Sequence, residues 1–460
     1  MLINTEEGKQ LIENYNRDSV VNAARTVLDE LRSEILKKET ISFEEKNLSV
    51  VSIIKRIQSH LQKKFTPSLQ KAINATGIIL HTGLGRAMLS KEAINAINNA
   101  IEGYCTLAAD IETGRRGHRD VHLNSLLCEL TGAEAATVVN NNAAATVLIL
   151  NTLAKGKEVI VSRGQLVEIG GSFRMPEVME TSGAILKEIG TTNKTHLKDY
   201  SAAISENTGA IMRVHHSNYR IVGFAEEPPI EDVVKLGKEH NILVIDDLGS
   251  GALVDLKEFG LETEPMVQKS IKAGADVACF SGDKLIGGPQ SGVIVGKSAV
   301  IEKIRKNPLA RAFRVGKITI AAMEATLRLF FNPEKLTLSH PSYKMFSYSS
   351  KELEKRAQQI AKKLREVITD EADIQIIDGE SQVGSGSAPI ETLPTKLLKV
   401  KPSILSAENF AKKLRSNIIP IFTRVHKESV LFDFRTIRPK EDASVLEALL
   451  SLLKGKEIQS

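Results

Sequence analysis

From about Leu69 to Gly296 the chain alternates short apolar runs with helical stretches, and this alternation narrows the folds open to it more than any other feature. The strands predicted by these runs are Ala136–Val139, Val159–Val161, Ile185–Ile189, Ala210–Val214, Ile242–Ile245, Val277–Phe280 and Gly292–Val295, with a helix over Ile230–His240 between two of them. Strands separated by helices call for a mostly parallel sheet covered on both faces. In such α/β folds ligands bind beyond the carboxyl ends of the strands. Polar clusters fall where that rule wants them: Asn140–Asn142, His215–Asn218, Asp246–Asp247 and Ser281–Lys284 each follow an apolar run.

The flanks read differently. Val20, Ala24, Val27, Leu28, Leu31 and Ile35 recur at three- and four-residue steps, one face of a helix, and a second helix is expected over Ser52–Leu61 before a break at Thr66-Pro67. Residues 1–70 are therefore expected to form a small helical module. Beyond about Ile318 helices are expected at Ile318–Phe331, Lys351–Val367 and Leu446–Leu453, with strands at Ile374–Ile377, Ile418–Phe422 and Ser429–Phe434. The expected organisation is a helical module (1–70), a large catalytic domain (71–317) and a smaller C-terminal α+β domain (318–460). No run of eighteen apolar residues occurs, which argues against a membrane span, and MLINTEEGKQ lacks the basic-then-apolar build of a secretory signal, so a cytoplasmic protein is expected. Cys105, Cys128 and Cys279 show no metal-ligand spacing, and no metal is expected. The net charge of +5 permits an RNA partner without arguing for one.

Three segments carry chemistry. In SGDKLIGGPQSG (Ser281–Gly292) a lysine follows directly on a buried run. A desolvated lysine has a lowered pKa and attacks aldehydes; Lys284 reads equally as such a nucleophile or as a solvated lysine of a Gly-rich turn. Ser281 can offer its hydroxyl to a phosphate, and Asp283 stands beside the lysine as a further catalytic candidate. NNNAAA (Asn140–Ala145) opens a helix whose N-terminus and small residues suit an anion, or it is an ordinary asparagine cap. DDLGSG (Asp246–Gly251) places a carboxylate at a strand end, where it can pair with a protonated pyridine nitrogen or simply cap the next turn. Phosphate loop, strand-end Asn, strand-end Asp and Ser-x-x-Lys is the chain order of aminotransferase-like (fold type I) pyridoxal-phosphate enzymes, and the four together point to that cofactor.

Longer stretches are more specific. INATGIILHTGLGRA (73–87), GRRGHRD (114–120), VVNNNAAA (138–145), VSRGQLVEIGGSFRMP (161–176), EIGTTNKTH (188–196), SNYRIVGF (217–224), DLGSGALVDL (247–256), SGDKLIGGPQSG, VGSGSAP (383–389) and VLFDFRTI (430–437) resemble bacterial selenocysteine synthases, the L-seryl-tRNA(Sec) selenium transferases. The resemblance runs from roughly Val20 to the C-terminus. It implies conversion of L-seryl-tRNA(Sec) to L-selenocysteinyl-tRNA(Sec) with selenophosphate as selenium donor. The route implied is pyridoxal 5'-phosphate-dependent β-elimination of the serine hydroxyl, then selenium addition to the dehydroalanyl product. A related pyridoxal-phosphate lyase acting on a small amino acid or amino sugar phosphate is the alternative.

Carried over residue by residue, the resemblance makes Lys284 the lysine that binds the cofactor aldehyde. Asp247 becomes the partner of the pyridine nitrogen, with Asp246 as its rival. Asn141, Asn142 and Ala143 match the phosphate loop, with Asn218 and Ser281 as further cofactor contacts. Arg86, Arg311 and Arg314 are expected to receive selenophosphate, since guanidinium groups match phosphate oxygens in bidentate fashion; a solvated basic stripe is the other reading of the pair at 311 and 314. Arg116, His118 and Arg119 face either the active site or RNA. The N-terminal module is expected to contact tRNA, although the first stretch reads as shorter than is usual in the family. His216 stands where a threonine is expected, and Lys194 where arginine is commoner. The family also implies a homo-oligomer of dimers assembled into a larger ring, a decamer being one such size.

Overall fold

The computed structural model describes residues 4–37, 49–170, 173–261 and 264–455. The chain forms two compact units, residues 1–71 and 72–460. The first holds helices α1 (Glu6–Tyr15), α2 (Arg17–Lys37) and α3 (Val50–Phe65). Leu11, Val20, Ala24, Val27, Leu31, Ile54, Ile57 and Leu61 close its core, so the expected periodic stripe is buried as far as Leu31, while Leu28 is half-buried and Ile35 is exposed. The Ser49 hydroxyl accepts from Ser52 N at 3.2 Å and starts α3 two residues earlier than the apolar pattern does. The helix stops at Thr66, because the residue before a proline is pushed out of the helical region.

In the second unit β1 (Ile73–Ala75) pairs with a sheet formed mainly by the C-terminal part of the chain. The larger sheet comprises β2 (Ala135–Val139), β3 (Glu158–Ser162), β4 (Ile185–Ile189), β5 (Thr208–Val214), β6 (Leu243–Gly249), β7 (Val277–Ser281) and β8 (Gly292–Gly296). Their spatial order is β2-β8-β7-β6-β5-β3-β4. Strands β4, β3, β5, β6 and β7 run parallel, and β8 is antiparallel to both its neighbours. Each strand expected in this region is present. Helices α4 (Asn142–Leu153), α5 (Ile230–His240) and α6 (Val267–Ala273) connect them. Separate hydrophobic clusters pack on the sheet, one around Leu148, Val159, Met212 and Ile294, another around Leu127, Phe280, Val293 and Leu327. This two-sided burial explains why central strands such as β7 and β8 are continuous apolar runs, whereas the edge strand β4, ILKEI, is buried only at Ile189.

The smaller sheet has the order β1-β11-β12-β10-β9, with β9 (Ala372–Gly384), β10 (Ser387–Pro402), β11 (Ile421–His426) and β12 (Ser429–Asp433). Helices run over Lys317–Leu329, Ser350–Arg365 and Asp442–Leu453, within a few residues of the expected spans. The strand expected at Ile418–Phe422 begins only at Ile421; Ile418 is 72% exposed. Strand β10 was not expected at all.

At the junction of β12 with β1, Asp433 is fully buried. It accepts hydrogen bonds from Ser381 Oγ (2.7 Å), Thr395 Oγ1 (2.8 Å), Arg424 Nη2 (3.3 Å) and Arg435 N (3.0 Å). Gly77 lies so close that a Cβ there would fall 2.1 Å from Asp433 Oδ2. Arg435, itself buried, spends its guanidinium on the carbonyls of Met345, Tyr348 and Pro394. Asp433→Ala is therefore expected to destabilise this unit by about 3–5 kcal/mol, read as a lower urea midpoint.

His340 gives the unit a pH dependence. Burial pushes its imidazole down from 6.5 to about 4, and it is held against the Ile286 carbonyl at 2.8 Å. The unfolded chain binds this proton more readily than the folded one. Stability should therefore be intact above pH 6.5 and fall as the pH drops towards 4, by up to roughly 3 kcal/mol from this group. Urea titrations at pH 7 and pH 5 measure that slope, and His340→Gln should reduce it, leaving the part due to His215, which burial also pushes down to about 4.

Candidate active site

The carboxyl ends of β2, β5, β6 and β7 converge on a cavity of about 250 Å³ lined by Arg86, Asn141–Ala143, Ile169, Gly170, Phe173, Val214, His215, Ser217, Asp247, Gly249, Ser281, Lys284 and Gln290. Lys284 lies three residues past Ser281, the last residue of β7, and is only 5% exposed. Its backbone is held by the Gly-rich turn: Gly287 N donates to Lys284 O at 3.0 Å, and Gly287 adopts φ +69° against the His340 ring, where a side chain would collide. Burial lowers the Lys284 pKa, the Arg86 guanidinium lowers it further, and Asp247, Asp283 and Glu264 oppose them. The sequence alternatives for this lysine thus separate, because the solvated-turn reading requires exposure it does not have.

Asp247 sits near the end of β6 and accepts from Asn142 Nδ2 (2.8 Å), Thr146 Oγ1 (3.0 Å) and Gly249 N (3.3 Å). Burial raises its pKa, and the Asn142 and Thr146 donors and the Lys284 charge counter the rise. Asp246 points the other way, to Ser270 Oγ on α6 and to Arg213 at 3.8 Å, outside the Lys284 cavity. The side chain of Asn141 caps α4 by accepting from Ala144 N at 2.8 Å, and Asn141, Asn142 and Ala143 at this helix start line the cavity. Gly292 of β8 backs this turn; a Cβ there would lie 2.2 Å from the Asn141 carbonyl oxygen. Arg86 holds a left-handed backbone (φ 60°) and pairs with Asp283 at 2.8 Å.

Other expected site residues lie elsewhere. Asn218 is exposed, and its side chain donates to the Glu168 carbonyl at 2.8 Å. Arg311 and Arg314 line a separate cavity of about 440 Å³ with Arg116, His118, Arg119 and Arg305. There the Arg119 charge lowers the pKa of Arg314. Gly171 and Ser172 of the 161–176 segment lie outside the described residues. Residues not singled out beforehand, His215 and Ser217, do face the Lys284 cavity. Their only signal was membership of the polar cluster at the end of β5.

Three buried polar atoms around this cavity, Asn142 Oδ1, His215 Nδ1 and Ser217 Oγ, have no hydrogen-bond partner among the described residues. Leaving such atoms unpaired costs about 1–3 kcal/mol each, so the cavity is shaped for a polar guest. A buried amine, a strand-end carboxylate and a helix N-terminus together fit an aldehyde, a ring nitrogen and a phosphate, the three functional ends of pyridoxal phosphate.

No helix among the described residues is long and apolar enough to cross a membrane, and no cluster of His, Cys, Asp and Glu among them is arranged to hold a metal ion.

The structure is similar to D-glucosaminate-6-phosphate ammonia-lyase, with a TM-score of 0.58 at 19% identity over 85% of this chain and 100% of that one, a likeness of fold. The chain is 48% identical over 453 residues to the L-seryl-tRNA(Sec) selenium transferase of Alkaliphilus metalliredigens, covering 98% of this chain and 97% of that protein. It is 46% identical over 440 residues to the protein of that name from Carboxydothermus hydrogenoformans, covering 96% and 93%. A family profile described as selenocysteine synthase N terminal matches residues 2–32. A second, described as L-seryl-tRNA selenium transferase, matches residues 72–438, and the chain belongs to that family.

Proposed function

We propose that this protein converts L-seryl-tRNA(Sec) to L-selenocysteinyl-tRNA(Sec), using pyridoxal 5'-phosphate as cofactor and selenophosphate as selenium donor. The observation that carries the reading is the buried Lys284 amine sharing one cavity with Asp247, in a chain of this family. When bound, the cofactor supplies an aldehyde for an amine and a ring that takes up the charge left by a departing α-proton. Lys284 Nζ holds the aldehyde end, Asp247 the ring nitrogen, and Asn141–Ala143 with Ser281 the phosphate. Lowered by burial, Lys284 Nζ is the base that takes the α-proton of the seryl group and later returns one. Asp283 orients Arg86 at the cavity mouth through their ion pair. Arg86 then meets the anionic selenium donor.

Arg311 and Arg314 line a different cavity from Lys284 within one chain. For them to serve the donor site they would have to reach it from a second subunit, as in a ring of dimers. The helical unit at residues 1–71 contacts the tRNA, and the enzyme works in the cytoplasm. A tRNA-dependent selenium-transfer assay on the purified protein tests the reading. Product is expected with seryl-tRNA(Sec), and none with free serine. Turnover of a free amino acid or amino sugar phosphate, with no tRNA product, would favour the lyase alternative.

A further inference from the structure

A second cavity, of about 170 Å³, lies beside the first and is lined by Arg213, His216, Glu227, Asp246, Lys269 and Ser270. Solvent reaches it, since the side chains of His216 and Glu227, 3.3 Å apart, are 23% and 30% exposed. Val214 and His215, at the end of β5, line both cavities. The His215 backbone is fixed there by donating to the Asp247 carbonyl at 2.9 Å. Its Nδ1 is buried without a partner among the described residues. The residues shared by the catalytic cavity and the ionisable, water-accessible one are thus Val214 and a histidine with an unused nitrogen.

The chemistry assigned to Lys284 creates a need there. The α-proton moves to Lys284 Nζ, the β-hydroxyl leaves as water only if it gains a proton, and a proton must return to Cα after selenium has added. A proton therefore has to be exchanged between this cavity and solvent within one turnover, while the substrates occupy its mouth at Arg86. We propose that His215 is the relay for it, one ring nitrogen accepting a proton from the rear cavity as the other gives one up to the Lys284 side. The imidazole resets by tautomer exchange, the net charge of the wall is unchanged, and water is the ultimate source and sink. Burial, the His216 charge, Arg213 and Lys284 push the His215 pKa down to about 4 against the pull of Asp246. At neutral pH the ring is then uncharged, with one donor and one acceptor nitrogen, the form a relay needs. Sequence gives no hint of this, because only the structure shows that His215 lines both cavities and His216 the rear one alone.

The inference rests on the functional reading above, and its test separates the two. Wild-type holoenzyme must first transfer selenium; if it does not, the functional reading falls whatever His215 does. Against an active wild type, His215→Phe and His215→Gln are made in the full chain. Cofactor affinity, cofactor absorbance, single-turnover conversion of seryl-tRNA(Sec) and its solvent deuterium isotope effect are then measured. The phenylalanine variant is expected to keep cofactor affinity within about twofold, to slow the single turnover about tenfold or more and to raise the isotope effect. The glutamine variant, which keeps the size and polarity of the wall but has no tautomer to exchange, should behave alike. Glu227→Gln, on the rear wall, should slow the same step by a smaller factor. The relay is overturned if cofactor affinity falls in step with the rate, which would make His215 a cofactor contact, or if rate and isotope effect stay at wild-type values.

Discussion

Lys284→Ala should fold, bind at most loosely held cofactor with no lysine-linked absorbance, and transfer selenium at least about a thousandfold more slowly than wild type. The size of the effect follows from the one amine having two tasks. It holds the aldehyde end of the cofactor, and it moves the proton at Cα; alanine can do neither. Arg86, the other cation lining this cavity, is paired with Asp283 and cannot replace it. Stability should move the opposite way. A buried amine is expensive to keep, as its lowered pKa shows, and removing it relieves the folded cofactor-free protein of that cost. A thermal midpoint at or above wild type, together with lost turnover, distinguishes a missing catalytic group from a damaged fold. Full turnover in this variant would refute the assignment.

Asp247→Asn is the second large effect, a loss of about a hundredfold or more in turnover with the cofactor still bound. Three donors, from Asn142, Thr146 and Gly249, converge on this carboxylate. An asparagine there has to turn an NH₂ group towards one of them, and it carries no charge with which to hold a proton on the ring nitrogen. The pH profile supplies an independent check. Burial raises the Asp247 pKa above 3.8, and the working form is the carboxylate. Activity should therefore be full above the raised pKa and fall as the pH drops through it, and this acid limb should be absent from the asparagine variant. A variant with wild-type turnover and an unchanged acid limb would move the role to another group.

The central strands of the larger sheet were legible because both of their faces are buried, so Val159–Val161 or Val277–Phe280 reads as apolar at every position. Strand β10 was not, because its sequence, SAPIETLPTKLLKVKP, breaks any apolar run with prolines and lysines. Ile418 misled in the other direction, an exposed isoleucine that belongs to no strand. At the site, Lys284, Asp247 and the 141–143 loop were readable from the rule that function gathers at strand ends. What the rule could not resolve is which residue of a cluster turns inward. After β5 the chain presents His215 and Ser217 to the cavity and leaves Asn218 bonded to Glu168. The family resemblance also suggested Arg311 and Arg314 as partners of Arg86, but the fold places them in a different cavity of the same chain. Sequence reports that side chains share a chemistry, whereas the backbone path decides whether they share a space.

The central claim concerns one ε-amino group. Reducing the cofactor-loaded protein with borohydride fixes the cofactor to whatever amine carries it, and peptide mapping then locates the modified residue. The account predicts a single labelled peptide, modified at Lys284. A label on any other lysine, or none at all, would contradict it.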